Sequence, residues 1–276
     1  MAGEAGELSY TYAVVRPTEA LTDEALREVG GVASGAVRLV SAEGVAAAVG
    51  SVPESEFSEA ALKLHLEDLT WLERVARAHH GVVEFLAAHT TVLPLRLATV
   101  YVDDDRVREV LRRGAPTFLR MLDRFAEHVE WGVKVYAETA ETARGPAAAQ
   151  GVDGDSPDPG RAYLRRRRQQ RDERGAAWSA ATEAVRRIEA GAGGIAVELA
   201  RHRPQQGQLA VGAGENVAND SYLVPADRSD EFCARVRDAT RDLPGVRIEI
   251  TGPWAPYSFA VLGEPETPDE DEVRRP

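Results

Sequence analysis

Cysteine is nearly absent: Cys233 is the only one in 276 residues. That excludes an intramolecular disulfide and any cysteine-rich zinc site. Cys233 stands beside Phe232, Ala234 and Val236 in a helical pattern, which predicts a small buried hydrophobe and not a reactive thiol. Long apolar runs are also missing. None approaches the ~20 residues needed to span a bilayer, so no membrane partner is expected. Residues 1–7 are acidic and poor in apolar side chains, unlike a secretory signal, which predicts a cytoplasmic protein. Positive charge is in deficit, 33 Lys and Arg against 45 Asp and Glu, for a net −12. Nucleic acid is therefore disfavoured as the main partner, because such binding rests on neutralising phosphates. At 43% hydrophobic and 28% charged, the chain is globular in composition and long enough for one large or two ordinary domains.

Motifs for chemistry are equally scarce. His65 and His79 are 14 positions apart on one helical stretch, about 21 Å along the axis, and His79 and His80 point to different sides. The histidines therefore read as structural and not as metal ligands. Asp103, Asp104 and Asp105 lack the alternating ligand spacing and distal glutamate of a calcium loop; three acids before a helix complement its N-terminus instead. Gly212 and Gly214 are not followed by a helix, so the phosphate-cradling pattern is incomplete. No nucleophile is paired with a base. The expectation is a non-enzymatic protein without a cofactor.

Periodicity supplies the elements. Leu8–Val15 reads as a strand, Thr22–Val29 as a short capped helix, and Ala36–Val40 with Val45–Val49 as a hairpin turning at Glu43-Gly44. A long helix begins near Ser58. Leu62, His65, Leu69, Leu72, Ala76, His79, Val83 and Leu86 line its core face, and Gly81 is the point where it divides. Val92–Val102, interrupted by Pro94, reads as an edge strand. A helix from Arg106 ends at Gly114, and Pro116 opens another with Phe118, Met121, Leu122 and Phe125 on one face. Val129–Tyr136 is a strand. Residues 138–160 are rich in Gly, Pro and Asp and predict a flexible loop.

Residues 161–174 are the one strongly basic stretch. A helix from 161 to about 202 follows from Trp178, Ala181, Val185, Ile188, Ala192, Ile195 and Leu199, spaced alternately three and four. Leu209–Val217 and Ser221–Val224 are strands around an Ala-Asn turn, Ser229–Arg241 is a helix, and Val246–Thr251 is the last strand. Residues 263–276 carry six acids and predict a disordered acidic tail. The fold class is α+β in two domains: a smaller N-terminal α+β domain over 8–102, a helical connector over 103–128, and a C-terminal ferredoxin-like domain over 129–262. The latter runs βαββαβ and carries the long helix.

The last strand ends in Gly252-Pro253-Trp254-Ala255-Pro256-Tyr257-Ser258-Phe259, three large rings in a chain that is 6% aromatic. This stretch resembles the ending of the gas vesicle protein family GvpL/GvpF. The likeness continues in Val92-Leu93-Pro94-Leu95-Arg96 with Thr99-Val100-Tyr101, in Glu130-Trp131-Gly132-Val133-Lys134-Val135, and in Tyr222-Leu223-Val224-Pro225. Leu97-Ala98 stands where that family more usually has Phe-Gly, and Ala255 where Pro is common. The resemblance implies a gas vesicle accessory or minor structural protein in the cytoplasm and at the vesicle. Its implied partner is the small, very hydrophobic shell protein (GvpA-like), whose assembly it would assist in a chaperone-like way, with other gas vesicle accessory proteins as further partners. The surface expected to bind is Arg165, Arg166, Arg167 and Arg168 together with Trp254 and Tyr257. The alternative is a ferredoxin-like module that binds nucleic acid or a small ligand through the same arginines.

Overall fold

The computed structural model describes residues 6–139, 159–204 and 214–260. The expected loop 138–160 and the acidic tail therefore lie almost wholly outside the described residues, as do 209–213 of an expected strand. A first sheet contains β1 (Glu7–Val15), β2 (Val37–Ala42), β3 (Val45–Pro53), β4 (Val92–Pro94) and β5 (Val100–Tyr101). Its order is β2-β3-β1-β4, with β5 also on β1, and all pairings are antiparallel. The β2–β3 turn falls at Glu43 and Gly44, with φ of 50° and 78°, the two positive values that a two-residue hairpin turn requires. Pro94 sits in an edge strand, where its missing N–H costs no ladder bond.

One face of this sheet is covered by α1 (Asp23–Arg27), α2 (Glu54–Phe57), α3 (Glu59–His65) and α4 (Leu69–Ala87). Thr22 caps α1, its hydroxyl accepting from Ala25 N at 3.2 Å. The long helix expected from Ser58 is broken, and the break is not at Gly81, which lies inside α4. Asp68 makes it: its carboxylate accepts from Thr70 N at 2.9 Å and Trp71 N at 3.2 Å, capping a new helix. A fresh start shifts the helical phase. The buried residues of α4 are therefore Trp71, Val75, His79, Val82, Val83 and Leu86, while Leu69 is 74% exposed.

The opposite face is covered by α5 (Asp104–Phe125), one helix where two were expected. Asp103 caps it by accepting from Arg106 N at 2.8 Å, and Asp104 holds Arg38 through two bonds of 2.7 and 3.0 Å. Pro116 is tolerated because it faces solvent, so the carbonyl it leaves unbonded opens to water. The stripe Val107, Leu111, Ala115, Phe118, Leu122 and Phe125 runs through it without a change of phase. Gly114 makes room for packing: a Cβ there would stand 2.5 Å from the Phe118 ring, whereas one on Gly81 would meet nothing within 4 Å. Gly81→Ala is expected to raise stability by ~0.5–1 kcal/mol. Gly114→Ala, equally favourable by helix propensity, is expected to lower it by ~1 kcal/mol or more because the buried ring must move. Urea unfolding of both variants checks the opposite signs.

A second sheet holds β6 (His128–Ala137), β7 (Glu198–His202), β8 (Glu215–Pro225) and β9 (Val246–Trp254) in the order β7-β8-β6-β9, again antiparallel throughout. Both sheets thus place their strands second, third, first, fourth. α6 (Pro159–Ala192) and α7 (Ser229–Asp238) cover one face. The expectation that α6 continues to 202 is corrected: Gly193 and Gly194 follow its last residue, and Glu198–His202 crosses back as an edge strand. Its buried stripe is Ala177, Ala181, Ala184, Ile188 and Ala192, four alanines that seat the helix close to the sheet around one large side chain, with Trp178 left outside. The Ala-Asn turn is corrected too. β8 runs straight through Ala218-Asn219 and absorbs its irregularity as a bulge opposite Val135 and Tyr136. Asn216, buried there, donates to Val135 O at 3.2 Å and Ala218 O at 2.9 Å. The far face of this sheet meets α5 through Leu223 and Ala200, so α5 packs between the sheets and is more than a connector.

Candidate functional site

The C-terminal knot is built from the end of β9 and a short 3-10 turn, Tyr257–Phe259. Gly252, joined to Pro253 by a cis bond, has φ +133°, a region that L side chains rarely adopt; a Cβ there would lie 2.8 Å from Glu130 O. Beyond it the chain crosses to the first sheet's layers. The Trp254 ring meets His80 of α4 edge-on at 5.2 Å, and Tyr257 lies 6.3 Å from both His79 and His80. Ala255 and Tyr257 pack on the core between the first sheet and α4, and Phe259 packs on the one that contains α5. The knot is a clasp over both.

A buried carboxylate ties it down. Glu130 of β6 accepts the Ser258 backbone N–H at 2.8 Å and the Ser258 hydroxyl at 2.6 Å. Ser221 Oγ stands 3.1 Å from Ser258 Oγ, and His202 Nε2 lies 3.0 and 3.2 Å from the two serines. Serine, histidine and acid are present, but not in a nucleophile's order. The acid holds the serine proton directly instead of orienting the imidazole, so the hydroxyl is committed to a carboxylate that has no further base behind it. Separations of 37, 56 and 128 positions hid this cluster from sequence reading.

A second buried polar group lies beneath Tyr257. Tyr10 Oη accepts from Ala98 N at 3.1 Å and shares a hydrogen bond with His79 Nδ1, 2.9 Å away. Tyr12 Oη accepts from Val32 N at 2.8 Å. Burial pushes the His79 imidazole down to about 4 and the Tyr10 and Tyr257 phenols up. His65 stacks on Trp71 at 5.1 Å, apart from His79. Among the described residues no group of three or more His, Cys, Asp or Glu could hold a metal ion. None of the described helices is long and apolar enough to cross a membrane.

Arg165, Arg166, Arg167 and Arg168 are all exposed on the first half of α6. Arg167 donates to Tyr163 Oη at 3.1 Å, and Arg174 reaches Glu215 at 3.8 Å. Among the described residues the first buried one of the helix is Ala177, and those before it are exposed and form an arm, with Tyr163 56% and Leu164 65% exposed. The six residues expected to form one surface are not brought together. The arm is rooted where Ala177 meets Gly245, just before β9, whereas Trp254 ends that strand, nine residues or ~30 Å on. Trp254 is 38% exposed, and Tyr257 turns inward with its hydroxyl buried.

The family model for "Gas vesicle synthesis protein GvpL/GvpF" matches residues 8–261, nearly the whole chain. The chain belongs to the GvpL/GvpF family. Gas vesicle protein L of Streptomyces sp. (strain CB03234) is 42% identical over 97% of this chain and 98% of its own length. Gas vesicle protein F of the same strain is 27% identical over 91% and 98%. Among solved structures, GvpF from Anabaena sp. PCC7120 superposes with a TM-score of 0.65 at 16% identity, covering 94% of this chain and 98% of that one. GvpF from Microcystis aeruginosa gives 0.60 at 15% identity, covering 92% and 99%. The two-sheet arrangement is therefore a GvpF-like fold. Each of the four sequence motifs of this GvpL/GvpF chain sends residues into its interior: Leu93, Val133 and Phe259 into cores, Glu130 and Leu223 to the join between the sheets, while Trp254 stays 38% exposed.

Proposed function

We propose that this chain is a non-enzymatic gas vesicle accessory protein of the cytoplasm that binds the hydrophobic shell protein (GvpA-like) and assists its assembly. Family membership supports the gas vesicle setting. The observation that carries the binding step is the arm. Among the described residues it is a helix segment with no buried face, where Tyr163 and Leu164 stand exposed beside Arg165–Arg168, with Trp178 exposed at its root. Exposed apolar residues rimmed by charge suit a partner that is itself apolar and must be kept in solution. We place the binding surface on the C-terminal half, read as a ferredoxin-like βαββαβ unit, with Trp254 as a separate contact at the far end of β9.

Co-expression with the shell subunit, in a host lacking other vesicle proteins, tests this. Soluble shell subunit is expected to co-purify with the tagged chain. Replacing Arg165–Arg168 by Glu is expected to cut recovery ~10-fold or more without changing the melting temperature, because none of the four touches a core. Trp254→Ala is expected to have a smaller effect. Aggregated shell protein beside a folded chain would refute direct binding. The arginines favour one other reading, a nucleic-acid or ligand-binding module, whose signature is RNA affinity that falls steeply with salt.

A further inference from the structure

We propose that the basic arm docks the chain's own acidic C-terminal segment, Glu264 to Glu272. From Arg161 to Arg171 the helix carries six arginines and no acid, inside a chain of net charge −12. Arg165, Arg166, Arg168 and Arg171 have no acidic partner among the described residues, in contrast to Arg174, which pairs with Glu215 next to the body. The arm begins where the body's own carboxylates end. The complementary charge is the densest acidic run in the sequence: Glu264, Glu266, Asp269, Glu270, Asp271 and Glu272, six acids in nine residues.

Reach supports the pairing. Ala260, the last described residue, packs in the core that contains Leu223, and the arm passes Glu215 on the same strand. Leu223 and Glu215 are eight residues apart, ~26 Å along β8. Arg171 to Arg165 lie a further ~5–14 Å out along the helix. Asp269 to Glu272 are nine to twelve residues beyond Ala260, a span of up to ~30–43 Å. The second half of the acidic run is therefore long enough to reach the level of the arginines. Pairs in water are individually weak and screened by salt, so the contact holds by number and is reversible. A partner that takes the arm must displace it. The pairing stands on charge and reach alone, whether or not the shell subunit is that partner.

Limited trypsin digestion of the full chain, with cleavage at Arg165–Arg168 followed by mass spectrometry, tests it. The acidic run contains no Lys or Arg and survives the protease. A chain ending at residue 262, and a full-length chain with the six acids changed to Asn and Gln, are both expected to be cut at the arm ~5-fold or more faster in low salt. The difference should vanish in 1 M salt, and a synthetic 261–276 peptide should restore protection to the shortened chain. Equal cleavage of all three chains in low salt would overturn the proposal. So would protection that disappears on dilution, because that places the acidic run on a second copy.

Discussion

Glu130→Ala is expected to lower the unfolding free energy by about 3 kcal/mol, read as an earlier urea midpoint with an unchanged slope. The carboxylate is 6% exposed and accepts two bonds from Ser258, at 2.6 and 2.8 Å. Bonds to a charged acceptor contribute ~1.5–3 kcal/mol each, and their loss leaves a backbone N–H without its acceptor. Part of the cost is offset because burying a carboxylate is itself unfavourable, and because Ser221 and His202 remain near the freed hydroxyl. Glu130→Gln keeps an acceptor oxygen and should lose about half as much. The consequence reaches beyond one bond. Ser258 sits between Tyr257 and Phe259, which pack on two different cores, so loosening it frees the clasp. A loss below ~1 kcal/mol would mean that ring packing alone holds the knot.

The second large effect is a pH dependence that belongs to His79. Its folded-state pKa, about 4, lies below the unfolded value of 6.5 because burial disfavours the imidazolium. The unfolded chain therefore binds the extra proton between these two values. The stabilisation is complete above about pH 6.5 and is lost progressively as the pH falls to about 4, amounting to ~3 kcal/mol. His79→Gln removes the titration while keeping a polar side chain. The difference between the two stability curves across pH 4–7 isolates this histidine from the carboxylates, and parallel curves would disprove the assignment.

Much of the fold was legible because its signals are local. Glu43-Gly44 satisfies a hairpin turn within two residues, Thr22 caps its own helix, and Asp103 does the same for α5. The errors share one cause, a periodic pattern extrapolated across a point where another interaction decides. Spacing carried a single helix through Asp68, but two backbone N–H groups on one carboxylate end that run. Gly114 and Pro116 signalled a break in α5, but a core face unbroken from Val107 to Phe125 overrides them. Apolar positions at 195 and 199 continued the α6 pattern, yet the chain reverses after Gly194 into a strand, and Ile195 and Leu199 reach that core from beyond the helix. The prolines and rings of the knot are legible in the sequence, but its anchor, Glu130, is not. A lone acid in a strand has no signature until Ser258 folds against it.

The amino-acid sequence by itself determined the family, the α+β class, the order of strands and helices in the C-terminal half, and a basic segment set within an acidic chain. These rest on residue types and spacings that act over a few positions. Tertiary structure alone decided that α5 is a shared layer between the sheets, that the arginines stand out on an arm remote from Trp254, and that Tyr257 lies against a buried histidine. Each of these depends on which distant surfaces meet, and burial, unlike periodicity, is a property of the assembled molecule.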